Sequence, residues 1–338
     1  MKNKVLSISL SMALAAGALS VGTYAAWYEW KEENGKLYWY ENGVKQGVAG
    51  DPKNLTDEIY GIERGREIYD PDSDAWYWLD ANANGAKAES KDVWLPYVYQ
   101  NETPGSTEGK WVRYDENGHM VKGVQLYEKN QSWYQFDVIT GAMIKGWFTT
   151  KSGNDVYYDA VTGILKENDF TLPGLKLEVD YDTGHITKTV LTKPISYYGR
   201  SADASVKNDW TLAELSVVKY LSNASYTPKE YDAIRQAETQ EGTFARLQTQ
   251  FGIQAETEKE ERLASRLRHG DLVILFTDRG TFAPKDNPRN AILLYGYDNG
   301  AVNVYDPEDA GRNGVYKLED CLECVNLAEI LPNVVYSK

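Results

Sequence analysis

From residue 27 onward, the chain alternates apolar and polar positions in short runs that end on glycine. Five fragments share this form: LYWYENG ending at Gly43, WYWLDANANG at Gly85, WVRYDENG at Gly118, WYQFDVITG at Gly141 and VYYDAVTG at Gly163. Each opens with aromatic or β-branched residues, passes an Asp or Glu, and turns at Gly. A period of two puts alternate side chains on opposite faces of a strand. Asn-Gly or Thr-Gly supplies the positive φ of a tight hairpin turn. Three fragments run on into VKQG, MVKG and MIKG, and the last two glycine intervals are 23 and 22 residues. Earlier intervals are longer, with residues 50–74 and 95–108 inserted. The pattern predicts an all-β, solenoid-like run of hairpins. Each is too small to be stable alone, and neighbours bury one another's aromatic faces.

The period changes after Phe170. Residues 171–194 hold a DTG turn between alternating runs, which reads as one more hairpin or a linker strand. Asp209 then caps a helix with apolar Leu212, Leu215, Val218 and Leu221 at spacings of three or four. Thr227-Pro228 opens a second helix, and Thr243–Phe251 and Glu256–Arg268 predict two more. Within the last of these, Glu258 and Arg262 are four apart and suit a solvated face. Three strands follow, Asp271–Thr277, Asn290–Asp298 and Gly300–Pro307, the last two joined by an Asp-Asn-Gly turn. Helices followed by an antiparallel sheet predict an α+β domain over residues 195–338.

Residues 1–25 precede all of this. Lys2 and Lys4 form a positive start, Val5–Val21 is mostly apolar, and Thr23 and Ala25 are small residues before a cut. This is the pattern of a cleaved export signal, and no later stretch reaches the length of a membrane helix. Removing Lys2 and Lys4 takes the net charge from −14 to −16. An acidic surface argues against nucleic acid as a partner. Aromatic content is skewed, with 25 Tyr and 10 Trp against 7 Phe, and nine of the Trp precede residue 150. Both residue types suit binding surfaces as well as cores. His119, His185 and His269 are scattered, and no metal-ligand spacing or cofactor motif is present. Cys321 and Cys324 read as a local disulfide or two buried thiols, because the thioredoxin-like context of a redox pair is missing. His269 sits at a helix end, where it suits the dipole.

The fragments GKWVRYDENGHMVKG and SWYQFDVITGAMIKGW resemble the cell-wall-binding repeats of Gram-positive bacteria, of the choline-binding or glucan-binding type. The resemblance covers about residues 27–170. It implies a secreted, wall-associated protein held by residues 26–170 to choline-bearing teichoic acid or to a glucan. It places ligand-binding aromatics at Trp39, Trp111, Trp133 and Trp147, with Tyr134 and Tyr157 beside them. Val48 and Val124 stand where the family pattern has Trp, which leaves two cages incomplete. Aromatic residues are also the natural core of such small units, so a purely structural module is the competing reading.

NAILLYGYDNGAVNVYDP, with the helix WTLAELSVVKYL, resembles the papain-like cysteine peptidases that process bacteriocin leaders. The resemblance spans about residues 190–335. The positions matching the family's catalytic set are Asp209, Asn290 and Asp306, so the expected nucleophile and general base are both replaced. A carboxylate is a poor nucleophile toward an amide, and an amide side chain cannot exchange a proton as imidazole does. The resemblance therefore implies a binding pseudoenzyme with a peptide or protein partner. The alternative is a wall or peptide hydrolase using these three residues as a non-standard set.

Overall fold

The structure is a computed structural model that describes residues 27–56, 61–96, 109–127, 131–200, 206–237, 239–285, 290–325 and 333–337. The export signal expected over residues 1–25 lies outside them. Mostly antiparallel hairpins come first, and a helix-and-sheet region follows. Contacts divide the chain into two compact units. Among the described residues, the first holds 27–96 and 111–121, and the second holds the rest.

The first unit has a seven-stranded antiparallel sheet. Its order is Tyr28–Glu33, Lys36–Glu41, Ala86–Lys87, Ala75–Asp80, Glu63–Asp70 and Leu55–Thr56, with Val44–Lys45 also pairing to Lys36–Glu41. Asn34 and Gly35 both take positive φ, 54° and 75°, as a two-residue hairpin turn requires. This register sets Trp30 opposite Trp39. Their rings meet edge to face at 5.0 Å, and Trp30 meets Tyr77 the same way. Ile68 and Leu79 complete that core. A second core collects Trp78, Val93, Leu95, Val112 and Tyr114, and it draws on the paired strands Lys91–Pro96 and Gly109–Tyr114.

The second unit begins with two hairpins, Gly123–Tyr127 with Ser132–Phe136 and Gly146–Thr149 with Asp155–Tyr158. One turn design recurs. Asp137 accepts from the backbone N–H of Ile139 and Thr140 and from the Thr140 hydroxyl. Asp159 does the same with Val161 and Thr162, and Asp180 with Asp182 and Thr183. In each turn the glycine N–H donates back to the Asp carbonyl. These bonds favour the ionised form and hold all three carboxyls below their ordinary range. The turn at Asp180 thus repeats the design of the two before it. Its flanking strands, Leu175–Val179 and Ile186–Leu191, belong to the large sheet.

That sheet has nine strands, all antiparallel. The main path runs Phe170–Leu172, Leu175–Val179, Ile186–Leu191, Asn290–Asp298, Leu272–Thr277, Asn333–Ser337 and Gln254–Glu258. Ala301–Tyr305 and Gly314–Lys317 branch from Asn290–Asp298. Asn299 and Gly300, at φ 49° and 90°, make the expected tight turn. Both faces of the sheet centre are covered. Leu272 and Ile274 pack with helix α1 (Asp209–Ser222), while Val273 and Leu275 pack with α4 (Glu260–Arg268). Burial on both faces explains why DLVILFT shows no polar alternation.

Three local expectations are corrected. Asn208, not Asp209, caps α1, because its side chain accepts from Thr211 N–H. Thr227 caps α2 (Pro228–Gln236) as read, with Glu230 completing a capping box. The third helix starts earlier than Thr243: α3 spans Gln240–Arg246 and continues as a π turn to Phe251, where Gly252 ends it at φ 65°. The stretch Glu256–Arg268 is not one helix. Its first residues form the edge strand Gln254–Glu258 against Asn333–Ser337, and α4 begins only at Glu260. Pairing with a distant strand overrode a locally good helix former. The Glu258–Arg262 pair does form, at 3.4 Å. Cys321 and Cys324 are free buried thiols, and burial pushes the Cys321 thiol up to about 12.

The hairpin around residue 155 is fastened to the end of α4. Asp155 is fully buried and pairs with Arg268 Nε at 2.8 Å. Its Oδ1 accepts from the hydroxyls of Ser265 and Thr149 and lies 3.2 Å from His269 Nε2. The His269 ring stacks on Trp147 at 4.2 Å. Burial works against the charge on Asp155, but the bonds from His269 and Thr149 and the Arg268 charge outweigh it and hold the carboxyl below its ordinary value. A depressed carboxyl stabilises the fold above its unfolded pKa of about 3.9, and that stability is lost as pH falls through the folded value. Asp155→Asn is therefore expected to lower stability by about 3 kcal/mol at neutral pH. In urea titrations the gap from wild type should shrink below about pH 4. A constant gap from pH 7 to 3 would remove the charge from this account.

Two repeat glycines, Gly85 in the first unit and Gly123 in the second, test how tightly each turn is packed. A Cβ at Gly85, where φ is 80°, would lie 2.3 Å from the Gln46 carbonyl oxygen, whereas one at Gly123 would meet nothing within 4 Å. Gly85→Ala is expected to cost about 2 kcal/mol or more. Gly123→Ala should cost only about 1 kcal/mol, for the left-handed backbone. Urea midpoints of the two variants check the order.

Candidate functional site

The six expected ligand positions have different surroundings. Trp111 and Trp133 each lie on the open face of their hairpin, at 38% exposure, while the residues that alternate with them are core. Val112 and Tyr114 are buried behind Trp111, and Tyr134 and Phe136 behind Trp133. Tyr134, at 4% exposure, is therefore not available to a ligand: it stacks with Phe136 inside its own hairpin. Trp39 is likewise core, at 3% exposure, because the neighbouring strand of its sheet supplies Tyr28 to stack on it and Trp30 to meet it edge to face. Trp147 and Tyr157 are half-buried. They pack on each other, with Trp147 against His269 and Tyr157 against Phe170, so this pair fastens its hairpin to the large sheet.

Trp94 was not among the expected residues, yet it lines an open groove of about 280 Å³ in the first unit together with Trp111. The two indoles are tilted at 57° with ring centres 5.7 Å apart. The buried Trp78 and Val93 and the exposed Ile62 add apolar lining, and Arg64, Asn82, Lys91 and Asp92 add polar groups. The signal for Trp94 was its place in the alternating run DVWLP. The fragments aligned on glycine pass over that run, because it leads into the inserted loop.

The second constellation lies at the start of α1. Asn290 is fully buried, and its Nδ2 donates to both oxygens of Asp306 at 3.1 Å. These two expected positions do meet. Asp209 joins them through a chain of ion pairs rather than directly. Its carboxylate is gripped by Arg200, with Nε to Oδ1 at 2.6 Å and a second bond to Oδ2. Arg200 also reaches Glu308 at 3.2 Å; Glu308 pairs with Arg312 at 2.6 Å, and Arg312 Nε returns to Asp306 at 2.9 Å. Arg200, Glu308 and Arg312 were not anticipated. The Glu308–Arg312 spacing of four was legible, whereas Arg200 lies in an irregular segment with no pattern to single it out.

The electrostatics suit structure more than proton transfer. Burial raises the Asp306 carboxyl despite the Asn290 bond and the Arg312 charge. Glu308 is held below its ordinary value: burial opposes its charge, but the Lys285 backbone N–H, Arg312 and Arg200 prevail. With both oxygens of Asp209 engaged by one guanidinium, neither is placed to attack or to accept a proton. Asn290 donates to Asp306 and offers no titratable nitrogen. Among the described residues, no cluster of three or more His, Cys, Asp or Glu is arranged to hold a metal ion, and no helix is long and apolar enough to cross a membrane.

No family model matches the sequence, and neither does any curated protein. Solved structures do show likeness. CbpJ from Streptococcus pneumoniae TIGR4 is 24% identical over 46% of this chain and 51% of its own, at a TM-score of 0.27. Choline binding protein F from Streptococcus pneumoniae is 21% identical over 50% and 55%, at 0.22. A putative C39-like peptidase from Bacillus anthracis is 15% identical over 45% of this chain and 98% of its own, at 0.33. The neighbours are thus of the two kinds that the sequence resembles. The chain spans about half the length of these choline-binding structures. At such scores the likeness carries nothing about ligand or activity, which must come from the side chains.

The ion-pair chain yields a direct test. Removing Arg200 leaves the Asp209 and Glu308 side chains, each 2% exposed, without a counter-charge on that side. Arg200→Ala is expected to destabilise the second unit by about 3–5 kcal/mol. Arg200→Lys, which keeps the charge but not the paired bonds, should recover part of this. Thermal unfolding checks both, and an unchanged Tm for Arg200→Ala would show that the network bears no weight.

Proposed function

We propose that this protein is exported, stays at the Gram-positive cell wall, and works by binding rather than by hydrolysis. In this reading, residues 1–25 direct export, the aromatic hairpins of residues 26–170 hold a wall polymer, residues 171–194 connect, and residues 195–338 form a peptidase-like pseudoenzyme that takes a peptide or protein partner. The observation that carries the wall-binding part is the matched display of Trp111 and Trp133. Each begins its fragment, each is 38% exposed, and each is backed by buried residues that fix the strand facing. An indole presented this way can stack on a sugar ring or attract a quaternary ammonium. Repeated weak sites gain through avidity. The grip of Arg200 on Asp209 and the amide at Asn290 support the non-hydrolytic part.

Sedimentation with purified walls tests the first part. The full chain is expected to co-sediment, and the double variant Trp111→Ala/Trp133→Ala to lose about tenfold or more in apparent affinity. Columns of immobilised choline and of glucan then separate the two ligand classes. Equal retention of wild type and double variant would sink the attachment role. A peptide-release assay on wall material tests the second part. Cleavage that disappears in Asp306→Asn would establish the hydrolase instead.

A further inference from the structure

The first strand of the first unit is an open sheet edge with a self-complementary pattern of charge. Among the described residues, Tyr28–Glu33 pairs on one side only, with Lys36–Glu41. The two-residue turn Asn34-Gly35 makes Glu33 and Lys36 a hydrogen-bonded pair, and the Trp27 carbonyl, at the same parity, accepts from Asn42 N–H. The odd-numbered residues of the strand therefore turn their amides and carbonyls toward Lys36–Glu41. Tyr28, Trp30 and Glu32 turn theirs outward, to the open edge. Charged side chains usually keep such an edge from pairing with another chain. Here the signs alternate. Glu29, Lys31 and Glu33 share one face, with Lys31 Nζ 2.8 Å from Glu29, so attraction or repulsion between two copies depends on register.

Only registers that set even-numbered residues against even-numbered ones can bond across this edge. Centred on Trp30, an antiparallel second copy sets Glu29 against Lys31 twice, as non-hydrogen-bonded pairs, whose side chains are the closer ones. Moving the centre by one residue sets Glu29 against Glu29, or Lys31 against Lys31. Trp27 and Tyr28, at 50% and 38% exposure, add apolar surface at the start of the strand. The edge strand Gln254–Glu258 of the large sheet differs: its charges are all acidic, and two copies of it would repel.

We infer that the edge Tyr28–Glu33 docks a second copy of this chain, as an antiparallel strand centred on Trp30. Six residues a side is small against the ~1,200–2,000 Å² of a stable interface, so the pairing is weak and acts where copies are concentrated. Two joined chains present twice as many aromatic hairpins to one polymer, which raises avidity. The inference goes beyond the wall-binding reading and does not need it.

Sedimentation equilibrium of the full chain, without wall material, is the readout. Wild type is expected to form a dimer and nothing larger, and the dimer to weaken as salt rises. Lys31→Glu, which opposes like charges twice, should weaken it about tenfold or more. Glu29→Lys/Lys31→Glu reverses both signs and should return the constant to within about threefold of wild type. Lys31 lies 4.4 Å over the Tyr40 ring, and Tyr40 is opposite position 29, so the swapped chain keeps a lysine beside that ring. Glu32→Pro removes an outward N–H and leaves the ladder to Lys36–Glu41 intact, so it should abolish pairing in a folded chain. Circular dichroism verifies the fold of each variant. The inference is overturned if wild type stays monomeric at about 1 mM, if Lys31→Glu or Glu32→Pro dimerises as well as wild type, or if the folded charge swap fails to recover. Wall sedimentation run in parallel separates the two ideas. A monomer retained on walls removes the dimer and leaves wall binding intact, and a charge-dependent dimer that walls do not retain does the reverse.

Discussion

A two-stranded hairpin has one face to bury and very little to bury it against. That shortage governs the N-terminal part of the molecule. In SWYQF the strand turns Tyr134 and Phe136 inward and leaves Trp133 outside; in WVRY it turns Val112 and Tyr114 inward and leaves Trp111 outside. The outward ring follows from strand geometry, because a period of two cannot bury neighbours on the same side. Where more strands are present, the outward ring is covered as well. Trp39 sits in a sheet that also supplies Tyr28, Trp30 and Tyr77, and there it becomes core. Whether a repeat indole meets solvent therefore depends on what its neighbours bring.

The same logic of local supply applies at the start of α1. Burying Asp209, Glu308 and Asp306 would be costly for bare carboxylates. Arg200 and Arg312 run between them as counter-charges, and Asn290 completes the set with a neutral donor. The network also ties down the segment that leads into the helix. Arg200 N–H donates to the Pro307 carbonyl, and Tyr198 exchanges hydrogen bonds with the Tyr305 hydroxyl. The carboxylates at the start of α1 are thus each held by a counter-charge rather than left bare.

Much of this was legible in the sequence, and the gaps have physical causes. Period-two alternation and glycine turns located the hairpins, and the cap at Thr227 located a helix start, because both signals are local. Glu256 to Glu258 misled, because an edge strand is defined by its partner at Asn333–Ser337, nearly eighty residues away. Among the site residues, Asn290 and Asp306 came together as their places flanking one hairpin implied. Arg200 escaped notice because a counter-charge in irregular chain has no period. Trp39 and Trp133 look alike in sequence, and only the covering rings tell them apart.

The turn at Asp180 shows how the two architectures merge. Its carboxylate, threonine and glycine repeat the bonding of Asp137 and Asp159, so the repeat design persists past the point where tryptophan disappears. The loss of tryptophan is then a consequence of packing. Leu177, Val179 and Ile186 form a core with Phe170, Leu172 and Trp147 at the edge of a nine-stranded sheet, and a hairpin with such neighbours no longer needs large rings to bury itself. Composition marks where the hairpins cease to supply their own core, while the turn chemistry marks where they cease to be hairpins of the repeat kind. The two limits differ by one unit, and that unit is the strand pair through which the repeats enter the α+β sheet.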